Sequence, residues 1–169
     1  MDASRQSVEQ FATEAEDFAQ WAKSGGDSGV KAVHAGLVRL TRLYIVALEL
    51  PARDDTIDEP DLEHLNVSDD EWKAVLAHTA RLGFDFYGSI FDPIPVPAQE
   101  PCVGSLADDI ADIYRDVVTG LRMHRAGHSQ EALHHWGFLF LHHWGNHATS
   151  AIRAMHCWLE QNDPEALAH

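Results

Sequence analysis

Two histidines in the stretch HHWGNH, residues 142–147, have the spacing of metal ligands. His143 and His147 are four residues apart, so a helix places both imidazoles on one face, the usual i, i+4 pair for Zn or Fe. Oxygen donors are available elsewhere in the chain. In SLADDIADIYRDVVTGL, residues 105–121, Asp109, Asp112 and Asp116 recur at i, i+3 and i+7. Two helices facing each other with these residues inward would form a carboxylate–histidine site of the kind built into bundle cores, holding a divalent transition metal, Zn or Fe. A His–Asp pair could also act as a general base, the carboxylate orienting the ring. The same residues fit a third arrangement with no ligand at all, buried histidines hydrogen-bonded to aspartates that remove the cost of their burial. No Glu follows His143, so the His-Glu-x-x-His of zinc proteases is missing. No nucleophile is nominated, because Cys157 and Ser150 lie off the seam that carries His147.

The helices that must position these groups are legible from apolar spacing. Residues 129–161 keep phase through Leu133, Trp136, Phe140, Trp144, His147, Ala151, Ala154 and Trp158, which predicts one continuous or gently bent helix despite Gly137 and Gly145. The tetrapeptide His-His-Trp-Gly occurs twice there, at 134–137 and 142–145. At about 100° per residue, eight positions rotate the second copy by roughly 80°. His143 and His147 then face the core, while His134, His135, His142 and His156 point away. His135, Phe138, His142, Thr149 and His156 form a second stripe. Its mixed character predicts a central helix covered on both sides, with an exposed, pH-sensitive self-association surface as the alternative.

The preceding helix carries the stripe Leu106, Ile110, Ile113, Val117, Leu121, with the three aspartates along one flank and Asp108 and Arg115 opposite. Ser105 starts it and Gly127 ends it. The short link to Ser129, read as the next cap, makes the two helices antiparallel and sets Asp109 and Asp112 near the level of His143 and His147. Upstream, helical spacing covers Val8 to Trp21, then Val30, Val33, Leu37, Leu40, Tyr44 and Ala47 up to Pro51. Ser68 with Glu71 reads as a capping box before Trp72, Val75, Leu76 and Thr79. Residues 51–67 read as an exposed acidic connector, and the run DDTIDEPDLE lacks the glycine and terminal Glu of an EF-hand loop. The segment at about 84–104, aromatic and then rich in proline, predicts an irregular loop packed across the bundle. Trp136, Trp144, Trp158, Phe84, Phe86, Tyr87 and Phe91 are expected in the core. The fold class is all-α: a bundle of about five helices in a single domain, 1–169.

Composition narrows the function. The 169 residues are 45% hydrophobic and 23% charged, as in a soluble globular protein. A net charge of −15 and the lack of a basic patch argue against nucleic acid and anionic membranes as partners. No apolar run is long enough to span a bilayer, and the polar N-terminus is not a secretory signal. Two distant cysteines, Cys102 and Cys157, fit reduced thiols in a cytoplasmic protein. Protonation of twelve histidines between about pH 7 and 5 offsets much of the charge, so association with a protein partner or another copy would depend on pH.

LVRLTRLYIVALELP, FDFYGSIFDP, SLADDIADIYRDVVTGL and HHWGNHATSAIRAMH occur in this order over about residues 30–156. Together they resemble the bacterial proteins grouped as domain of unknown function 5063 (DUF5063). The resemblance implies a helical domain with no assigned activity. It singles out Asp108, Asp109, Asp112, Tyr114, Arg115 and Asp116 on one helix, and His143, Trp144, Gly145 and His147 on the other. Two functions follow as expectations. One is a non-enzymatic interaction or structural module with a buried His/Asp network. The alternative is a small-ligand or metal-binding bundle using His143, His147 and the aspartate strip.

Overall fold

The computed structural model describes residues 3–24, 28–52, 61–97 and 99–168. Six α-helical segments and one short ribbon make up the fold: α1 Ala3–Ser24, α2 Val30–Leu48, α3 Asp69–Thr79, β1 Phe86–Ser89, β2 Cys102–Ser105, α4 Leu106–Arg125, α5 Ser129–Leu139 and α6 Gly145–Asn162. A single π-turn, Phe140–Trp144, joins α5 to α6, so the chain is helical without interruption from 129 to 162. Counted as one helix, that run makes the expected all-α bundle of five. No helix among the described residues is long and apolar enough to cross a membrane.

Helix α4 is the axis of the molecule. The Ser105 hydroxyl accepts from the Asp108 amide at 3.2 Å and caps its start. Arg122, His124 and Arg125 complement the dipole in its last turn, and Gly127, with φ of 95°, turns the chain out of it. The expected stripe Leu106, Ile110, Ile113, Val117 and Leu121 is buried, and so are Tyr114 and Val118 on other faces. Helices α1, α3, α5 and α6 all pack on it. The central helix is therefore α4 rather than the 129–162 run. That run keeps an open side, where Phe138, His142, Thr149 and His156 are exposed. At these four positions the second stripe is exposed, not covered as expected.

The core is dominated by Trp136 and Trp144, both fully buried, against Phe11 and Phe140. The Trp136 indole N–H donates to the Val117 carbonyl at 2.9 Å. Its ring lies over Gly120, where a Cβ would collide with it. Glycine at 120 is what lets α5 close on α4.

The π-turn corrects the phase of the repeat. A Cβ on residue 145 would strike the Phe140 carbonyl oxygen, so Gly145 permits the wider turn. Two α-turns plus one extra residue take about 8.2 residues, which returns an eight-residue repeat to the same direction. The two copies are thus in register, not rotated apart. Trp136 and Trp144 both point inward, and the Trp144 indole donates to the Trp136 carbonyl at 3.3 Å.

The segment expected as an irregular crossing loop contains the antiparallel ribbon, with Tyr87 opposite Gly104 and Gly88 opposite Val103. In its connection, the described residues are not packed across the bundle: Ile94 is 83% and Val96 94% exposed. Prolines end the pairing, and Phe91 is 86% exposed. Phe86 is exposed too, so neither joins the core as expected. Of the acidic connector, residues 53–60 lie outside the described residues. Leu62 and Val67 are buried, and the Val67 amide donates to Thr119 Oγ1 at 3.2 Å, so its last residues rest on α4. Ser129 does not cap α5. His128 holds that position, and the Ser129 hydroxyl meets the His124 ring at 3.0 Å. Both cysteines are free thiols.

Candidate metal centre

Helices α4 and α5–α6 run antiparallel, as paired contacts going up one and down the other show. His143 Nδ1 meets Asp116 Oδ2 at 2.7 Å, and His147 Nδ1 meets Asp109 Oδ1 at 2.8 Å. Asp112 lies between, with Oδ2 3.8 Å from His147 Nε2. The two imidazoles meet edge to face with ring centres 4.8 Å apart. Asp112, His143 and His147 each offer a donor atom, all within 4.8 Å of one another. A metal at roughly 2.0–2.2 Å from each ligand needs donors about 3–3.5 Å apart, so side-chain rotation of about 1 Å would close the set.

Each histidine spends Nδ1 on a carboxylate, which leaves Nε2 for another partner. That is the arrangement in which an outer carboxylate fixes the tautomer and orientation of a metal-binding imidazole. Asp109 and Asp116 therefore stand behind the histidines rather than beside Asp112. Both are buried, while His143 keeps 42% of its side chain exposed and His147 25%. The histidines line the rim of the α4 seam and not the core the wheel assigned them, because the π-turn shifts them toward the opening.

Further contacts hold the carboxylates. The Trp72 indole donates to Asp112 Oδ1 at 2.9 Å, and Arg115 lies over the Trp72 ring at 4.7 Å. The Tyr87 hydroxyl donates to Asp109 Oδ2. Gly104, opposite Tyr87, has no Cβ to obstruct the phenol ring as it crosses the ribbon. Burial and the bond to Asp109 push the Tyr87 hydroxyl far above its usual range. Trp72 and Tyr87 were outside the expected site. Tyr87 reads as a core aromatic and Trp72 as part of the apolar face of α3, and only the phenol oxygen and indole N–H suggest otherwise. His135, expected to point away, reaches the Asp116 carbonyl with Nε2 at 3.0 Å. It follows the same phase as His143.

Charge at the site is one-sided. Asp108, Asp109, Asp112 and Asp116 surround two imidazoles, and among the described residues no Lys or Arg pairs with any of the four. Burial and the Asp112 charge raise the Asp108 carboxyl. Burial raises Asp116 against the opposing pull of His143. The bond to Asp109 raises His147 despite its burial, and the Asp112 and Asp108 charges add to it. A dication would relieve this excess of negative charge.

Four of the residues singled out by the sequence lie outside this cluster, Gly145 of the π-turn among them. Trp144 is buried behind it and anchors the π-turn. Arg115 acts through Trp72. Tyr114 turns to a separate group, donating to Glu71 Oε1 at 2.6 Å, while Arg122 meets Glu71 Oε2 at 2.6 Å and Lys23 meets Oε1 at 3.3 Å. Burial works against the Glu71 charge, but Tyr114, Arg122 and Lys23 outweigh it and hold the carboxyl at about 2.

An antiparallel helical bundle with a two-histidine, one-aspartate cluster on its central seam is the class that fold and site define. The chain belongs to the DUF5063 family, a domain of unknown function matched over residues 2–161. It is similar in fold to the crystal structure of protein BF1032 from Bacteroides fragilis, a structural-genomics target. The TM-score is 0.72 at 21% identity, over 89% of this chain and 90% of that one. A search of curated proteins finds no match.

Proposed function

We propose that this chain binds a divalent transition metal, Zn or Fe, through Asp112 and the Nε2 atoms of His143 and His147. One observation carries the reading: both histidines set Nδ1 against a carboxylate, and a ring nitrogen of each lies within 4.8 Å of the other and of an Asp112 oxygen. A network meant only to lock helices has no need of a third carboxylate or of an opening to solvent. Here the four acids outnumber the imidazoles, and the imidazoles remain reachable. Three protein ligands leave coordination positions for water or a small ligand, as at catalytic rather than closed structural sites. The interaction-module reading takes the same His/Asp contacts as fixing helix register alone, with no ligand.

The test is calorimetric titration of untagged, chelator-stripped protein with Zn2+ and, anaerobically, Fe2+. One equivalent per chain is expected, with binding lost in His143→Ala, His147→Ala and Asp112→Asn. Asp109→Asn and Asp116→Asn should weaken binding by roughly 10- to 100-fold, the usual effect of losing an outer-shell partner. Absence of stoichiometric binding by the native chain, or binding that survives both histidine substitutions, overturns the proposal.

A further inference from the structure

The ribbon presents an exposed apolar face. Phe86, Gly88 and Val103 share one side of it, because residues two apart and directly paired residues point the same way. Tyr87 takes the other side and packs on the bundle. The outer side is open. Phe86 is 73% and Val103 77% exposed, and a Cβ on Gly88 would meet nothing. The connection adds Phe91, Ile94 and Val96, each more than four-fifths exposed. Among the described residues the ribbon has two strands, so both of its edges can receive a further strand.

From this surface we infer that the chain forms a two-fold dimer through the outer face of its ribbon. Area favours this occupant. At about 150–200 Å² for a fully open side chain, these residues with Ile90 expose on the order of 800 Å². A stable interface needs roughly 800 Å² per partner, while solvated patches on monomers rarely exceed a few hundred Å². Charge agrees with it. The chain carries −15 overall, yet residues 86–97, FYGSIFDPIPVP, hold one acid and no base. Asp92 is the one charge that each copy brings to this segment. A phospholipid surface finds no cation in this segment to hold it. An antiparallel ribbon edge is also self-complementary under a two-fold axis, which an isologous contact requires.

The experiment is sedimentation equilibrium of the full chain from low to high micromolar concentration, at neutral pH, with and without chelator. Expected is a species of twice 18.8 kDa. Val103→Asp and Phe91→Asp, each at a solvent-exposed position, should raise the dissociation constant by at least about 100-fold, since each buries an unpaired carboxylate. Their helical circular dichroism and metal stoichiometry should be unchanged, which separates this inference from the metal site. A native chain that stays monomeric throughout overturns it. So does a dimer that survives both substitutions, and so does a monomer that instead pellets with phosphatidylcholine or phosphatidylglycerol vesicles.

Discussion

Gly145→Ala gives opposite signs for helix propensity and for the π-turn. In an ordinary helix interior the change stabilises by up to about 1 kcal/mol, because glycine has the larger conformational freedom to lose. Here the added Cβ meets the Phe140 carbonyl oxygen, a backbone atom that cannot swing aside like a side chain. Relief requires the turn at Phe140–Trp144 to rewind, and Trp144 and Phe140 to repack, with both Trp144 and its neighbour Ala148 fully buried. Overpacking against a backbone atom costs up to about 3 kcal/mol, so a net loss of about 2 kcal/mol remains after the propensity gain. For a chain of this size that corresponds to a melting temperature lower by about 4–8 °C. Thermal and urea unfolding followed by circular dichroism measure it. Deleting Leu141, which is 62% exposed, removes the extra residue of the turn and should restore most of the lost stability in the Gly145→Ala background. A melting temperature that rises with Gly145→Ala would refute the π-turn as the cause of the repeat's phase, and so would further destabilisation by the deletion.

Gly120→Ala should destabilise by about 3 kcal/mol, since its Cβ collides with the Trp136 indole and displaces the bond to Val117; denaturant unfolding checks this. Glu71→Gln should cost about 1–3 kcal/mol at pH 7 by removing a charge that Tyr114, Arg122 and Lys23 all bond. Its pH dependence has a definite sign. The folded carboxyl, at about 2, lies below the ordinary value of 4.5. Its contribution is complete above 4.5 and lost as pH falls toward 2, so the gap between Glu71→Gln and native melting temperatures should narrow from pH 6 to pH 2.5.

Much of this architecture is legible in the residues themselves. Apolar period set the stripes of α2 and α4, Ser105 and Gly127 marked the ends of α4, and the spacing of Asp109, Asp112 and Asp116 placed them on the flank that meets His143 and His147. The π-turn was not legible, because one extra residue in a long helical run leaves the apolar spacing almost unchanged while rotating every wheel position beyond it. His135 lies before the turn, and its contact with the Asp116 carbonyl on α4 is a tertiary one that helical spacing does not encode. The ribbon escaped notice because its strands are four residues long, carry Gly88 and Gly104, and flank a proline-rich connection. Glu71 read as a cap, and the Ser68 hydroxyl does accept from its amide at 3.3 Å, but its carboxylate serves Tyr114 and Arg122 on α4, contacts that no local pattern encodes.

The most direct measurement is the metal stoichiometry of untagged native protein beside the His143→Ala, His147→Ala double variant, after both have been stripped and re-equilibrated with one metal at a time. One equivalent of Zn2+ or Fe2+ on the native chain and none on the folded double variant is the expected result. Equal metal on both, or none on the native chain, would contradict a site built from Asp112, His143 and His147.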